Sequence, residues 1–244
     1  MSNPVFNSIN KQLSNERVID GNNIMTVNGT IQVAFLLTLI LSVSAAFVWS
    51  RFSLGYSDMA NMLCTVGGVL GFILALVISF TQNKYLVPLY AVCEGFFIGG
   101  ISSMFERVYS GIVTQAVFCT IVVLLTMLCL YRTGIIKCTD KFRSVILIST
   151  LSICVIYLVD FIGHFFNYAV PVINSSSNLG IGASVVIVLI AALNLIIDFD
   201  FIEQGARRML PKNYEWYCAF GLLVTLVWLY LEILKLLAKL SDRR

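Results

Sequence analysis

The stretch "ALNLIIDFDFIEQGARR", residues 192–208, combines a membrane-like apolar run with three carboxylates inside six residues. These carboxylates belong to Asp198, Asp200 and Glu203. A carboxylate near the centre of a membrane helix costs about 2.5–3.5 kcal/mol, so such a group usually faces a pathway, a relay or a buried partner rather than lipid. The chemistry that it offers there is cation binding and proton exchange.

Three further stretches place ionisable side chains inside apolar runs. Glu94 lies in "YAVCEGFFIGG", and Glu232 lies in "VWLYLEILKLL". Asp160 lies in "YLVDFIGHFF", and His164, the only histidine of the chain, follows it by four residues on the same helical face. Together with Asp198, these acids sample inner, middle and outer depths on four different helices. This layout is typical of a polar path for cations or protons.

The acids near residue 200 can alternatively have a purely structural role, with partners close to them along the chain. Asp200 and Glu203 lie close to Arg207 along the chain, and they can be ordinary interfacial groups paired with it. Asn194 precedes Asp198 by four residues, so the two side chains share a face and extend the polar stripe inward.

The same alternative applies to the other helices. Glu232 is followed three residues later by Lys235, and a local ion pair lets both survive inside a bundle. Asp160 and His164 can be no more than a hydrogen-bonded pair near the outer surface. Glu94 has no charged residue within a turn, so either its partner comes from another helix or its carboxyl is protonated.

The composition determines the kind of protein that positions these groups. Apolar residues make up 59% of the chain, charged residues 12%, and the mean hydropathy is +0.90. A soluble domain carries roughly 25% charged residues, so the chain is expected to be an integral membrane protein. The net charge of +3 is too small to indicate nucleic acid as a partner.

Two further features of the sequence limit the range of functions. The seven cysteines form no CxxC pair and have no histidine at ligand spacing, so we interpret them as small buried hydrophobes, with no metal site. The first thirty residues lack the basic start and short apolar core of a cleaved signal peptide, so the first apolar segment is expected to stay as an anchor. We therefore predict a polar, cytoplasmic N-terminal segment, residues 1–30, and a transmembrane domain, residues 31–244.

Seven apolar stretches have about the 20 residues that are needed to cross ~30 Å of hydrocarbon. They are Ile31–Trp49, Asn61–Phe80, Tyr85–Phe105, Ile112–Tyr131, Val145–Phe165, Leu179–Phe201 and Trp216–Leu237. An all-α, polytopic membrane protein with a seven-transmembrane-helix bundle follows, because an open sheet in lipid would leave its edges unsatisfied. The glycine pairs Gly67/Gly71 and Gly95/Gly99 have the spacing of close helix contacts, which fits tight packing of the second and third helices.

The distribution of Lys and Arg predicts the orientation of this bundle. With the N-terminus inside, ten basic residues lie on the inner side and six on the outer side. The loop "YRTGIIKCTDKFR" contributes most to this difference, whereas the basic C-terminal tail favours the opposite orientation. Because internal loops and early helices usually dominate, we predict a cytoplasmic N-terminus.

Four blocks of the sequence carry a resemblance to a known family. They are "YAVCEGFFIGGISSMFE", "LYRTGIIKCTDKFR", "AALNLIIDFDFIEQGA" and "EWYCAFGLLVTLVWLYLEILKLLAKL". In order and spacing they resemble the bacterial branch of the Bax inhibitor family, also called the transmembrane Bax inhibitor motif or lifeguard family. The resemblance implies a seven-helix protein of the bacterial plasma (inner) membrane that, in some members, is a pH-sensitive calcium leak. It also implies a control site made of paired aspartates on helices six and seven.

The resemblance assigns this control site to particular residues. The helix-six motif falls on Asp198, with Asp200 at its third place, and the helix-seven acid falls on Glu232. If these helices turn near Pro211, however, the residue opposite Asp198 is near Thr225, and Glu232 lies about 10 Å deeper at the helical rise. Direct pairing then needs an asymmetric turn, a broken helix or a bridging water. Other partners for Glu232 are Asn194 and Glu94.

Enzymatic function is not expected. An intramembrane aspartyl protease would show a GxGD run and a zinc protease an HExxH run, and the sequence contains neither. His164 has no serine partner that a motif identifies.

We therefore expect a pH-sensitive cation leak, conducting calcium or protons, that is gated by intramembrane carboxylates. Its pathway residues are Asp198 at the inner gate, Glu232 as a partner, Glu94 at the midplane and Asp160 outside; its secondary residues are Asn194, Asp200 and His164. The alternative is a non-conducting regulator of a membrane protease or of a stress or cell-death pathway. No cofactor is expected beyond transient Ca²⁺ binding, and the expected partners are the lipid bilayer, cations or protons and, for a regulator, a membrane protease.

Overall fold

The computed structural model describes residues 23–166 and 175–243, and seven helices in this part of the chain are long and apolar enough to cross a membrane. They are α1 (Val27–Ser53), α2 (Ser57–Thr81), α3 (Leu86–Val108), α4 (Ile112–Arg132), α5 (Asp140–Phe165), α6 (Asn178–Arg207) and α7 (Tyr214–Ser241). The prediction of an all-α, seven-helix membrane protein is confirmed. Positions 1–22 of the predicted N-terminal segment and 167–174 of the loop after the fifth helix lie outside the described residues.

The helices extend beyond the apolar stretches because they continue into the membrane interface, where charged side chains are tolerated. The first helix begins at Val27 rather than at the predicted Ile31. Its N-cap is Thr26, whose hydroxyl accepts a hydrogen bond from Gly29 N at 2.9 Å. Similarly, α6 continues to Arg207 and so carries its three acids within a helix rather than in a loop.

The central helix of the bundle is α7, which packs against α1, α3, α4 and α6. Its buried residues Leu229 and Leu234 belong to one core cluster with Ala191 and Leu195 of α6 and Ala116 of α4. In lipid, this packing stabilises the bundle through close van der Waals contact, since apolar side chains gain little by leaving hydrocarbon.

The helix with the least packing is α5. It lies mainly against α6, and Ile146 and Ile153 are its only buried residues among those whose side chains the structure describes. Contacts of other kinds must therefore contribute to holding α5 in the bundle.

Glycines allow the closest contacts between helices, and the glycines of α3 contact a different helix from those of α2. A Cβ atom on Gly67 of α2 would lie 2.6 Å from Cys93 O of α3, as expected for these two helices. A Cβ atom on Gly95 or on Gly99 would lie 2.5 Å from a backbone oxygen of α1. These two glycines pack against the first helix, and the predicted tight packing of the second and third helices is confirmed. The spacing predicted close contact but not the identity of the partner.

Contacts between loops define two ends of the bundle. At the end where α1 begins, Met25 N donates to Leu210 O at 2.8 Å, and the Lys84 ammonium donates to Asn213 Oδ1 at 3.0 Å. We call this the N-terminal end. At the opposite end, the Ser176 hydroxyl donates to Asp242 at 3.1 Å. Both sets of contacts agree with helices that alternate in direction.

Candidate ion pathway between α5, α6 and α7

Four polar side chains on α5 are spaced seven residues apart. They are Arg143, Thr150, Tyr157 and His164. Seven residues are nearly two helical turns, so these side chains form one stripe along the helix. The first three bind polar groups on α6 or α7, and we call these contacting residues the polar seam. Its members are Arg143, Thr150, Tyr157, Asn194, Asp200, Glu232 and Lys235.

The polar seam begins near the N-terminal end with an ion pair. Arg143 Nη2 lies 2.5 Å from Asp200 Oδ2, which also accepts a hydrogen bond from Gln204 Nε2 at 2.6 Å. Arg207 pairs with Glu203 at 2.5 Å, in agreement with the interfacial interpretation of that acid, and not with Asp200. The cation that neutralises Asp200 comes instead from the neighbouring helix.

The middle level of the polar seam is an amide–hydroxyl contact. Asn194 Nδ2 donates to Thr150 Oγ1 at 2.9 Å and to Ile190 O of its own helix, also at 2.9 Å. Asn194 therefore binds α5, and within the described residues it forms no hydrogen bond with Glu232, one of the alternatives that the sequence left open.

The third level surrounds Glu232, whose exposed fraction is only 2%. The Tyr157 hydroxyl lies 2.9 and 2.8 Å from the two carboxylate oxygens and donates to them. Lys235 Nζ lies 3.2 Å from Glu232 Oε1 and 4.6 Å from the centre of the Tyr157 ring. The predicted Glu232–Lys235 ion pair is present. It explains how this helix carries a buried acid, because the carboxylate has both a cation and a hydrogen-bond donor.

Asp198 and Glu232 do not form the pair that the resemblance implies. No hydrogen bond or ion pair of the described residues joins them, since Glu232 binds Tyr157 and Lys235. Asp198 instead interacts with Thr225 of α7, the residue that a turn near Pro211 places opposite it. The Oδ2 atom of Asp198 is buried and has no hydrogen-bond partner within the described part of the chain. Asp198 thus lies beside the polar seam as an incompletely satisfied carboxyl group.

The Asp160 and His164 pair lies further towards the opposite end, as the sequence predicts. Their side chains approach to 3.9 Å between Oδ2 and Nδ1. His164 Nδ1 also lies 3.1 Å from Asp160 O, and since a carbonyl oxygen can only accept, this nitrogen donates. The histidine side chain is 64% exposed, whereas that of Asp160 is 14% exposed.

Glu94 is separate from the other acids. It is buried in α3, and its carboxylate lies so close to α2 that a Cβ atom on Gly71 would be 2.9 Å from Oε2. Tyr90, one turn earlier on α3, is its hydrogen-bonding neighbour. The helix α3 packs against α1, α2, α4 and α7 and not against α5 or α6 to a comparable extent. The structure therefore does not bring Glu94 to the polar seam.

Sequence reasoning missed two features. The stripe on α5 was visible as a spacing of seven residues, but Thr and Tyr are common in membrane helices and gave no signal on their own. Glu215, in the first turn of α7, is only 4% exposed and accepts hydrogen bonds from the Thr26 backbone N at 2.9 Å and the Thr26 hydroxyl at 3.1 Å. An acid in a first helical turn usually stabilises the start of its own helix. Glu215 instead binds the start of a different helix, α1, and no sequence pattern indicates that partner.

The candidate site consists of hydrogen bonds and ion pairs between helices. In the part of the chain that the structure describes, no group of three or more His, Cys, Asp or Glu side chains is placed to hold a metal ion. The polar seam instead alternates fixed charges with hydroxyl and amide groups along three helices.

The sequence was compared with curated proteins and with models of protein families. No curated protein matches the sequence. The family described as Bax inhibitor 1 like matches residues 3–242, which include all seven helices and every residue of the polar seam. The chain therefore belongs to the Bax inhibitor 1 like family.

Proposed function

We propose that this protein is a pH-sensitive cation leak that conducts calcium or protons along the polar seam. The observation that supports the proposal is a series of polar contacts at successive depths of the bundle, Arg143–Asp200, Thr150–Asn194 and Tyr157–Glu232. Intramembrane polar groups are costly, so a line of them across three helices is expected to serve transport as well as the attachment of α5. In this proposal the protein is a transporter of ions and not an enzyme.

The loose packing of α5 suggests how the path opens. Apolar burial on this helix is small, so the polar contacts of the seam carry much of its attachment to α6 and α7. Protonation or deprotonation of a seam carboxylate changes those contacts and thereby the separation of α5 from its neighbours. The pH sensitivity is thus assigned to separate carboxylates at successive levels, not to one proton shared between Asp198 and Glu232.

We also propose that the protein lies in a bacterial plasma (inner) membrane with its N-terminal end in the cytoplasm. The excess of Lys and Arg in the loops at that end supports this orientation. The polar seam then runs from Asp200 on the cytoplasmic side towards Glu232, and the Asp160–His164 pair lies beyond it on the outer side.

Flux measurements on the purified protein in liposomes test the proposed function. We expect cation flux in the absence of any partner protein, and we expect Glu232→Gln to reduce it because the change removes a seam charge while keeping the shape of the side chain. Glu94→Gln is the matched control, since Glu94 is a buried acid outside the polar seam. A loss of flux in Glu94→Gln with normal flux in Glu232→Gln would move the path to α2 and α3.

A non-conducting regulator of a membrane protease or of a stress pathway is the second candidate function. It is supported by a groove of about 400 Å³ between α1 and α4, whose walls are mainly apolar and whose floor includes Gly99 of α3 and Leu223 of α7. A partner helix fits a site of this kind. Liposomes that stay silent over a wide pH range would favour this function over the leak.

A further inference from the structure

We propose that the cation that moves along the polar seam is the proton, and not Ca²⁺ or another hydrated metal ion. This inference rests on the proposed function, because it names the ion of the same path. It follows from what already occupies the oxygen atoms of the seam carboxylates.

Each seam carboxylate is neutralised by a fixed cation of the protein. Asp200 has the Arg143 guanidinium at 2.5 Å, and Glu232 has the Lys235 ammonium at 3.2 Å. A divalent metal ion that arrives at either carboxylate is repelled by this cation about twice as strongly as a proton is, because it carries two charges. A divalent ion would have to displace Arg143 at one level and Lys235 at the other.

The geometry also prevents the seam carboxylates from sharing one metal ion. Their α5 partners, Arg143 and Tyr157, are separated by fourteen residues, which is about 21 Å along a helix. Ca²⁺ takes about six to eight oxygen ligands at ~2.3–2.6 Å, so each level would have to build a complete shell from one carboxylate. A proton needs a single oxygen atom.

The groups between and around the carboxylates are those that relay protons. The Tyr157 hydroxyl can give its proton to the Glu232 carboxylate while its oxygen accepts the excess proton of an adjacent hydronium ion, which is left as water. The phenol is then restored, and one proton has advanced by one step with no change in the number of bonds. Thr150 and Asn194 provide a hydroxyl and an amide at the next level, and intervening water completes the relay.

Asp198 fits this relay as a proton-accepting position. Its Oδ2 atom is buried without a hydrogen-bond partner among the described residues, and Asp198 lies one turn from Asn194 on the same face of α6. The groups that face Asp198 from α7 are Thr225 and Cys218. The acid has no fixed cation among them, in contrast to Asp200.

Several ionisable groups on α5 and α7 surround Glu232. Tyr157 faces it from α5, with Asp160 close to that tyrosine, and Lys235 and Lys239 face it from α7. Lys239 Nζ is itself held by the Ser184 hydroxyl at 2.8 Å. A metal ion that binds Glu232 would therefore approach two ammonium groups, Lys235 at 3.2 Å from the carboxylate and Lys239 beyond it.

Parallel flux assays test the identity of the ion. One set of liposomes contains a pH-sensitive dye and receives a K⁺ gradient with valinomycin, and the other contains a Ca²⁺ indicator and receives external Ca²⁺. We expect the protein to carry protons and to leave Ca²⁺ entry at the level of empty liposomes. Ca²⁺ entry through the protein that is faster than in empty liposomes and falls in Glu232→Gln would overturn the inference while leaving the cation leak intact. The absence of both fluxes would reject the leak and the inference together.

Two variants connect the proton flux to the hydroxyl groups of the polar seam. Tyr157→Phe keeps the ring but removes the relay hydroxyl, so we expect proton flux to fall about tenfold or more. The matched control is Tyr230→Phe, which removes a buried hydroxyl that binds Ser102 outside the seam and should leave flux unchanged. Thr150→Val, compared with Thr126→Val on α4, repeats the test if Tyr157→Phe elutes as an aggregate. Equal flux in a seam variant and its control would contradict the inference.

Discussion

Glu215 is the buried acid with the clearest structural role. It lies at the start of α7 and binds both the backbone nitrogen and the hydroxyl of Thr26, the N-cap of α1. A carboxylate at a helix N-terminus is favoured by the helix dipole and by the unsatisfied amides of the first turn. One side chain thus fixes the first helix to the last, next to the segment where Met25 is buried against Gly205 of α6.

Gly29 makes room for this carboxylate, and its substitution tests the contact. A Cβ atom on Gly29 would lie 2.2 Å from Glu215 Oε1 and 2.5 Å from Cδ. We expect Gly29→Ala to move the carboxylate from Thr26 and to lower stability by about 1–3 kcal/mol, the cost of leaving a buried polar group unsatisfied. Thermal unfolding in detergent measures the loss.

The matched control for Gly29→Ala is Gly182→Ala on α6. No atom of the described residues lies within 4 Å of a Cβ atom at Gly182. Because Ala is favoured over Gly in a helix by roughly 0.5–1 kcal/mol, this change should be neutral or stabilising. A similar loss of stability in both variants would show that Glu215 is not the cause.

At the scale of single residues, the sequence indicated which acids are unusual but not which partners they bind. The Asp160–His164 and Glu232–Lys235 pairs were predictable, because partners three or four residues apart on one helix must be neighbours. The binding of Asp200 to Arg143 was not predictable, since it depends on how two distant helices are rotated against each other. Hydropathy contains no information on that rotation.

At the scale of helices, α5 differs from the others in how it is held. Where α7 has a broad apolar contact surface, α5 has two buried isoleucines and a polar stripe at intervals of seven residues. Polar contacts between membrane helices contribute modestly, about 0.6 kcal/mol on average and up to ~2 kcal/mol. We therefore expect α5 to separate from the bundle more readily than α1, α3, α4 or α6, which pack against α7.

Hydrogen exchange measures this difference between helices. We expect the amides near the start of α5 to exchange several-fold faster in Arg143→Gln, because the change removes the ion pair with Asp200 at that end. The control is Arg132→Gln at the end of α4, where the arginine side chain forms no hydrogen bond or ion pair with the described residues. Unchanged exchange in α5 of Arg143→Gln would show that apolar packing, not the polar seam, holds the helix.

The helices themselves were predictable because their apolar length is set by the thickness of the membrane. Their ends were not, since capping groups such as Thr26 and the interfacial run up to Arg207 lie in polar sequence, where hydropathy falls although the helix continues. The glycine spacing likewise predicted close packing and not the partner, so that Gly95 and Gly99 contact α1 instead of α2.

At the scale of the whole molecule, the two ends of the bundle differ in charge and in the contacts that join the helices there. The N-terminal end is closed by the contact of residues 23–25 with the α6–α7 loop and carries the basic loop between α4 and α5. The opposite end is joined through Asp242, which accepts hydrogen bonds from Ser176 and Tyr109. The predicted cytoplasmic position of the N-terminal end rests on the basic loops and can be measured directly.

The native Cys138 is a poor reporter for that measurement, although it lies in the loop between α4 and α5. Burial raises the pKa of the Cys138 thiol, and the neighbouring Asp200 carboxylate raises it further. A raised pKa leaves less reactive thiolate at neutral pH, so maleimide labelling should be slow there and should accelerate as the pH increases. Weak labelling of Cys138 in intact cells would therefore reflect chemistry as well as topology.

A better test uses single cysteines in a background without the native ones. Ile135→Cys replaces a residue that is 73% exposed in the same loop, and Ser176→Cys lies at the opposite end. With the N-terminus in the cytoplasm, a membrane-impermeant maleimide should label Ser176→Cys in intact cells and should label Ile135→Cys only after permeabilisation. The permeabilised sample shows that both thiols can react, so each intact-cell result reports position alone. Labelling of Ile135→Cys in intact cells would invert the orientation and would place the Arg143–Asp200 end of the polar seam outside the cell.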